Sequence, residues 1–200
     1  MKKYILPILP LFLFSACASY DVKTVNLQKP TVYASHSVLD DFDIGAKAFT
    51  TDAETKAVFD EKLVRKGIFP VQVSIENKSE KTLLVVRDQI ELSGAVTNAI
   101  RPMSSTEVAE NVEDNAMANA IFGFGILSYA AAENANDERE ADYANKQLPQ
   151  ELVVRPGRMG GGFVFFKLPK GETLGGKNLV VPVSDASNPA SVISGEVELR

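Results

Sequence analysis

Seven consecutive residues do most to limit the folds open to this chain. Pro70-Val71-Gln72-Val73-Ser74-Ile75-Glu76 alternates apolar and polar side chains. That is the period of a strand, not of a helix, and it predicts one core face and one wet face. Asn77-Lys78-Ser79-Glu80-Lys81 reads as a turn, and the β-branched run Thr82–Val86 is expected to return antiparallel as a hairpin. Asp88-Gln89-Ile90-Glu91-Leu92 alternates again, and Val96–Ile100 offers another short strand before Pro102. Upstream, Asp43–Phe49 predicts a strand with Ile44, Ala46 and Ala48 on one face. Downstream, Glu151–Val154 leads into the Pro156-Gly157 turn. Phe163–Leu168 is the most apolar strand and is expected to be central and buried; Asn178–Val183 and Val192–Leu199 follow. About seven to nine short strands with turns between them predict a mainly β fold, an immunoglobulin-like antiparallel β-sandwich. One cysteine and no tryptophan rule out the antibody-type core signature, so the likeness is one of architecture.

Two stretches break the strand pattern. Thr51-Asp52-Ala53-Glu54 fits a capping box, and a short helix is expected over about 52–63 with Val58, Phe59 and Leu63 on its buried side. Ser104-Ser105-Thr106-Glu107 is a second capping box, opening a segment over 105–147 that is rich in alanine and asparagine. It predicts an α-helical hairpin insertion, α+β overall, with helices at about 105–121 and 126–147 broken around Phe122-Gly123-Phe124-Gly125. Two placements of the hairpin stay open. It packs on one face of the sandwich, or Ile121, Phe122, Phe124, Ile126, Leu127 and Tyr129 form an exposed apolar tip for a partner or a bilayer.

The start of the chain carries an address. Lys2 and Lys3 precede the apolar run Ile5–Phe14, and Ser15-Ala16 leads to Cys17, the only cysteine. This is the pattern of a secretory signal, too short and too proline-broken to span a bilayer. Phe14-Ser15-Ala16-Cys17 resembles the bacterial lipoprotein cleavage box. That resemblance implies a signal peptide over 1–16, cleavage before Cys17 and lipidation of Cys17 with diacylglycerol and an N-acyl chain such as palmitate. Ala18 stands where an aspartate would signal inner-membrane retention in many Gram-negative bacteria, so the expected location is the outer membrane, facing the periplasm. Residues 17–40 read as lipid anchor and tether, and 41–200 as the sandwich with its insert at about 105–147.

Little else in the chain carries chemistry. The net charge of −5 gives no footprint for nucleic acid. His36, the only histidine, sits between serines with no ligand at metal spacing. Gly123-x-Gly125 and Gly160-Gly161-Gly162 are weak candidates for a phosphate cradle, because neither follows a strand and opens a helix. Asp40, Asp41 and Asp43 offer oxygen ligands but fit a solvated acidic turn better. No catalytic residues, no metal and no cofactor are expected.

Ile44–Phe49, Gly67–Val73 with Glu76-Asn77, Leu152–Gly157 and Gly162–Phe166 together resemble a set of uncharacterised bacterial outer-membrane lipoproteins. In that set an alanine- and glycine-rich insert separates two β halves. The resemblance implies a fold and brings no catalytic residues. The expected function is that of a non-enzymatic, membrane-anchored interaction module of the cell envelope, with an envelope protein as possible partner. The alternative is a carrier or sensor holding a small apolar ligand between insert and sheet.

Overall fold

Strand β3 (Ile68–Asn77) is buried on both faces along almost its whole length, and this sets the layering of the molecule. In the computed structural model, residues 20–94, 97–112 and 125–200 are described. One sheet has the order β1 (Ser35–Val38), β2 (Phe42–Ala48), β3, β8 (Met159–Lys167), antiparallel throughout. The second sheet contains β4 (Leu83–Val86), β5 (Glu91–Gly94), β6 (Thr97–Ile100), β7 (Glu151–Val154), β9 (Asn178–Asp185) and β10 (Asn188–Glu198). In it, β4 and β5 act as one interrupted strand. Both pair with β9, a three-residue 3-10 turn at Arg87–Gln89 separates them, and β7 and β6 pair with their respective outer edges. β10 runs along the other side of β9. Among the described residues the protein is thus mainly β, with two antiparallel sheets and three helices: α1 (Asp52–Phe59), α2 (Ser105–Val112) and α3 (Gly125–Lys146).

The two sheets share an aliphatic core. Ile44, Val71, Val73, Ile75, Val164 and Phe166 face Val85, Leu92, Leu179, Val181, Val183 and Val197, all nearly inaccessible. Each such side chain contributes about 1.5–3 kcal/mol by leaving water. A second core lies on the opposite face of β3 and β8, because strand side chains alternate. There Ile68, Phe163 and Phe165 meet Phe59, Leu63, Val108, Val112 and Tyr143 from the helical layer. Phe59 is central: its ring centroid lies 4.9 Å from Phe163, 5.4 Å from Phe165 and 5.7 Å from Tyr143.

Several expectations change here. The wet face of β3 is not wet. Ser74 Oγ donates to the Gln28 carbonyl at 2.7 Å, and Gln72 Nε2 to the Asn26 carbonyl at 3.3 Å. The polar residues that made the strand look half-exposed thus hold a strap, residues 20–34, across the sheet. The strap contains a 3-10 turn at Pro30–Val32. The segment expected to be a tether over 17–40 is therefore packed from Tyr20 onward and includes β1. The hairpin expected between β3 and Thr82–Val86 is instead a corner between sheets. Asn77 makes it, donating through Nδ2 to the carbonyls of Lys81 (2.7 Å) and Val154 (2.8 Å) and accepting from Ser79 N–H at 2.9 Å. β8 is buried as expected but ends its sheet. Its outer edge is closed by backbone bonds from Met103 N–H to the Phe165 carbonyl and from Leu148 N–H to the Phe163 carbonyl.

Both capping boxes form. Thr51 and Glu54 satisfy each other's backbone at α1, and Ser104 and Glu107 do so at α2. α1 stops at Phe59, short of the expected 63, where Asp60 turns left-handed (φ 50°). Leu63 is nevertheless fully buried.

Candidate functional site

The most concentrated polar chemistry lies where the strap meets the helical layer. Tyr20 Oη donates to Asp142 Oδ2 at 2.7 Å, and Asp21 N–H to Asp60 Oδ2 at 3.3 Å. Asp142, on the last turns of α3, also accepts from Lys146 Nζ at 2.5 Å. That ammonium reaches the Val58 carbonyl at 2.7 Å and sits 5.2 Å from the Phe59 ring centroid. One turn back, the Arg139 guanidinium lies over the Tyr20 ring at 5.7 Å and pairs with Glu61 at 3.7 Å. The Tyr20 ring meets Tyr143 edge-on at 6.4 Å. The spacing 139, 142, 143, 146 puts all four α3 residues on one face of a helix.

These groups form a lock. Burial, reinforced by the hydrogen bond to Asp142, pushes the Tyr20 phenol far above the ordinary tyrosine range. Burial also raises Tyr143, and Arg139 opposes this without reversing it. Both phenols stay protonated, so neither serves as a base at neutral pH. Asp142 keeps 2% and Lys146 10% of its side chain exposed. A pair this buried gains little net stability over an apolar replacement, yet breaking it leaves a stranded charge. Tyr143 Oη and Arg139 Nε find no hydrogen-bond partner among the described residues.

A second polar clip closes the root of the insert. Gln147 Nε2 donates to the Met103 carbonyl at 2.8 Å, while its Oε1 accepts from Ser105 N–H at 3.1 Å and from Arg87 at 2.9 Å. One buried amide thereby ties both ends of the insert to β4's following turn. Sequence reading passed over Gln147 and Tyr20 alike. Their partners are 42 or more residues away along the chain, so no local pattern marks them.

Of the residues expected to act, Cys17, Ile121, Phe122 and Phe124 lie outside the described residues. Ile126, Leu127 and Tyr129 fall on the first turns of α3. His36 is exposed, and its Nδ1 lies 2.8 Å from the Tyr33 carbonyl. Asp43 is buried against Lys78 at 2.7 Å while Asp40 and Asp41 are exposed. Among the described residues no group of three acidic, histidine or cysteine side chains is placed to hold a metal ion. The Gly160–Gly162 run is no phosphate cradle. A Cβ on Gly161 would lie 2.1 Å from the Val73 carbonyl, and one on Gly162 2.7 Å from Leu148 Cα, so these glycines admit neighbouring backbone. Between the described part of the helical layer and the sheet, Phe59, Tyr143, Phe163 and Phe165 pack against one another. A surface cavity of about 40 Å³ bounded by Phe42, Lys81, Leu83 and Ile193 is far below ligand size. No helix among the described residues is long and apolar enough to cross a membrane.

No family model and no curated protein matches the chain. Among solved structures, the yjhA protein from Bacillus subtilis is similar at 12% identity and a TM-score of 0.44, covering 84% of this chain and 98% of its own. A functionally unknown protein from Listeria monocytogenes EGD-e is similar at 13% identity and a TM-score of 0.39, covering 84% and 83%. Likenesses this distant carry no argument about this chain.

Proposed function

We propose that the protein is a non-enzymatic lipoprotein of the bacterial envelope, anchored in the outer membrane through lipid on Cys17 and presenting an interaction module to the periplasm. The observation that carries the reading is the start of the chain. A charged, apolar and small-residue signal ends at Cys17, and Tyr20, three residues on, is buried in the fold. The module is proposed to be immunoglobulin-like. Supporting this, the neighbours β2-β3-β8 follow the order A-B-E of that architecture, and β7-β4-β9-β10 follow C′-C-F-G. The absence of enzymatic activity is proposed from the chemistry of the polar cluster, whose phenols are locked protonated and whose carboxylate is already paired.

The test is labelling with radioactive palmitate, with membrane fractionation. The wild-type chain is expected to take up label and sediment with outer membranes, and Cys17→Ala to lose both. Label that persists in Cys17→Ala overturns the anchor, and sedimentation with inner membranes overturns the location.

A further inference from the structure

We propose that the bilayer itself is a partner of this domain, with the surface around Tyr20, formed by the α1–β3 connection and the 136–143 segment of α3, resting against the lipid headgroups. The inference rests on the lipoprotein reading above and adds an orientation to it. A flexible tether over 17–40 would hold the domain roughly 25 Å from its anchor on average and leave it free to tumble. The strap removes that freedom. Tyr20 is 8% exposed and held by Asp142, Tyr143 and Arg139, and the next residue is held by Asp60. Cys17 is three residues earlier, and three residues of chain span at most about 11 Å. The lipid on Cys17 fixes the sulfur near the boundary of the hydrocarbon. The headgroup layer of one leaflet is only about 5–8 Å deep. Tyr20 is therefore held in or just above the headgroups, and the exposed Lys62 and Glu138, each next in sequence to a member of the Glu61–Arg139 pair beside Tyr20, lie on the surface proposed to meet them.

The opposite end of the molecule is placed far from lipid. Tyr143 packs on Phe165, which pairs with Pro70 near the start of β3. The turns at 77–81, 155–158 and 185–188 gather beyond the other end of that strand, joined by Asn77 N–H to the Arg158 carbonyl and by Lys81 to Asp185. From Pro70 to Asn77 the strand alone covers about 23 Å.

The acylated full chain is tested on vesicles of phosphatidylethanolamine and phosphatidylglycerol that contain a headgroup-nitroxide lipid. With Cys17 acylated, a cysteine introduced as Lys62→Cys or Ser187→Cys is the single free thiol for a fluorophore. Quenching is expected to be several-fold stronger at position 62 than at 187. Insertion of a 20-residue Gly/Ser linker between Ser19 and Tyr20 should even the two out. Protein that floats with the vesicles but is quenched equally at both positions, or more at 187, overturns the orientation alone. Protein that carries no acyl chain and fails to float overturns the lipoprotein reading and the orientation with it.

Discussion

The two faces of β3 are buried by different means. Toward the second sheet the contacts are aliphatic, between strands that all alternate: Val71, Val73 and Ile75 against Leu179, Val181 and Val183. Toward the helices the contacts are aromatic and rimmed by polar groups: Phe59, Phe163, Phe165 and Tyr143, then Asp142, Lys146, Gln72 and Ser74. The first core needs only hydrophobic side chains of suitable volume. The second is specific, because its polar members have one set of partners each. The sandwich core makes the domain stable, and the helix-side core decides where the N-terminal strap and the insert sit.

The comparison breaks most completely in the aliphatic core. Val73→Asp puts an unpaired carboxylate between the sheets and is expected to cost upward of about 4 kcal/mol, abolishing the cooperative unfolding transition in urea. Asp142→Ala attacks the other side. It strands Lys146 and releases Tyr20, and is expected to cost about 3–5 kcal/mol in denaturant melts. The double variant Asp142→Leu/Lys146→Met should recover most of that loss, because it removes both charges; failure to recover would mean that the pair does more than neutralise itself. Gln147→Ala leaves the Met103 carbonyl and Ser105 N–H without their partner. An expected loss of about 1–3 kcal/mol, with faster amide exchange across 103–108, would locate the effect at the root of the insert.

The smallest effect is at the rim of the second core, where Thr51→Ala should cost about 1 kcal/mol at neutral pH. Burial of the Glu54 carboxylate opposes its ionisation. Hydrogen bonds from the Thr51 side chain and from the Thr50 and Thr51 backbone, with Lys47 nearby, outweigh that and hold Glu54 below its ordinary value. The stability this lends is fully present above the unfolded glutamate value of about 4.3 and fades as pH falls through the lower folded value. The gap between wild type and Thr51→Ala should therefore narrow in urea melts as the pH is taken below about 4.3.

What was legible in the sequence follows from this contrast. The capping boxes, β2 and the separate strands β9 and β10 were readable because their signals are local: Thr51 meets Glu54 three residues on, and a strand's signal lies within its own residues. β3 was half readable. Its aliphatic face stood out, but Gln72 and Ser74 gave the pattern of a solvated face. Their partners are carbonyls 46 residues upstream in a stretch with no strand pattern. The same blindness hid the corner at Asn77, since a side chain that bonds Val154 across 77 residues looks like any turn asparagine. In the candidate site, Tyr20 and Asp142 are 122 residues apart. Nothing short of the fold brings them together.

The central claim is that the strap belongs to the fold, so that only a few residues separate the domain from Cys17. Pulsed electron–electron resonance between nitroxides at Thr24→Cys and Glu80→Cys, both exposed positions, in a Cys17→Ser chain, tests it most directly. A packed strap predicts a single narrow distance distribution that broadens when Asp142→Ala releases Tyr20. A broad distribution in the otherwise wild-type chain would contradict the account and restore a free tether.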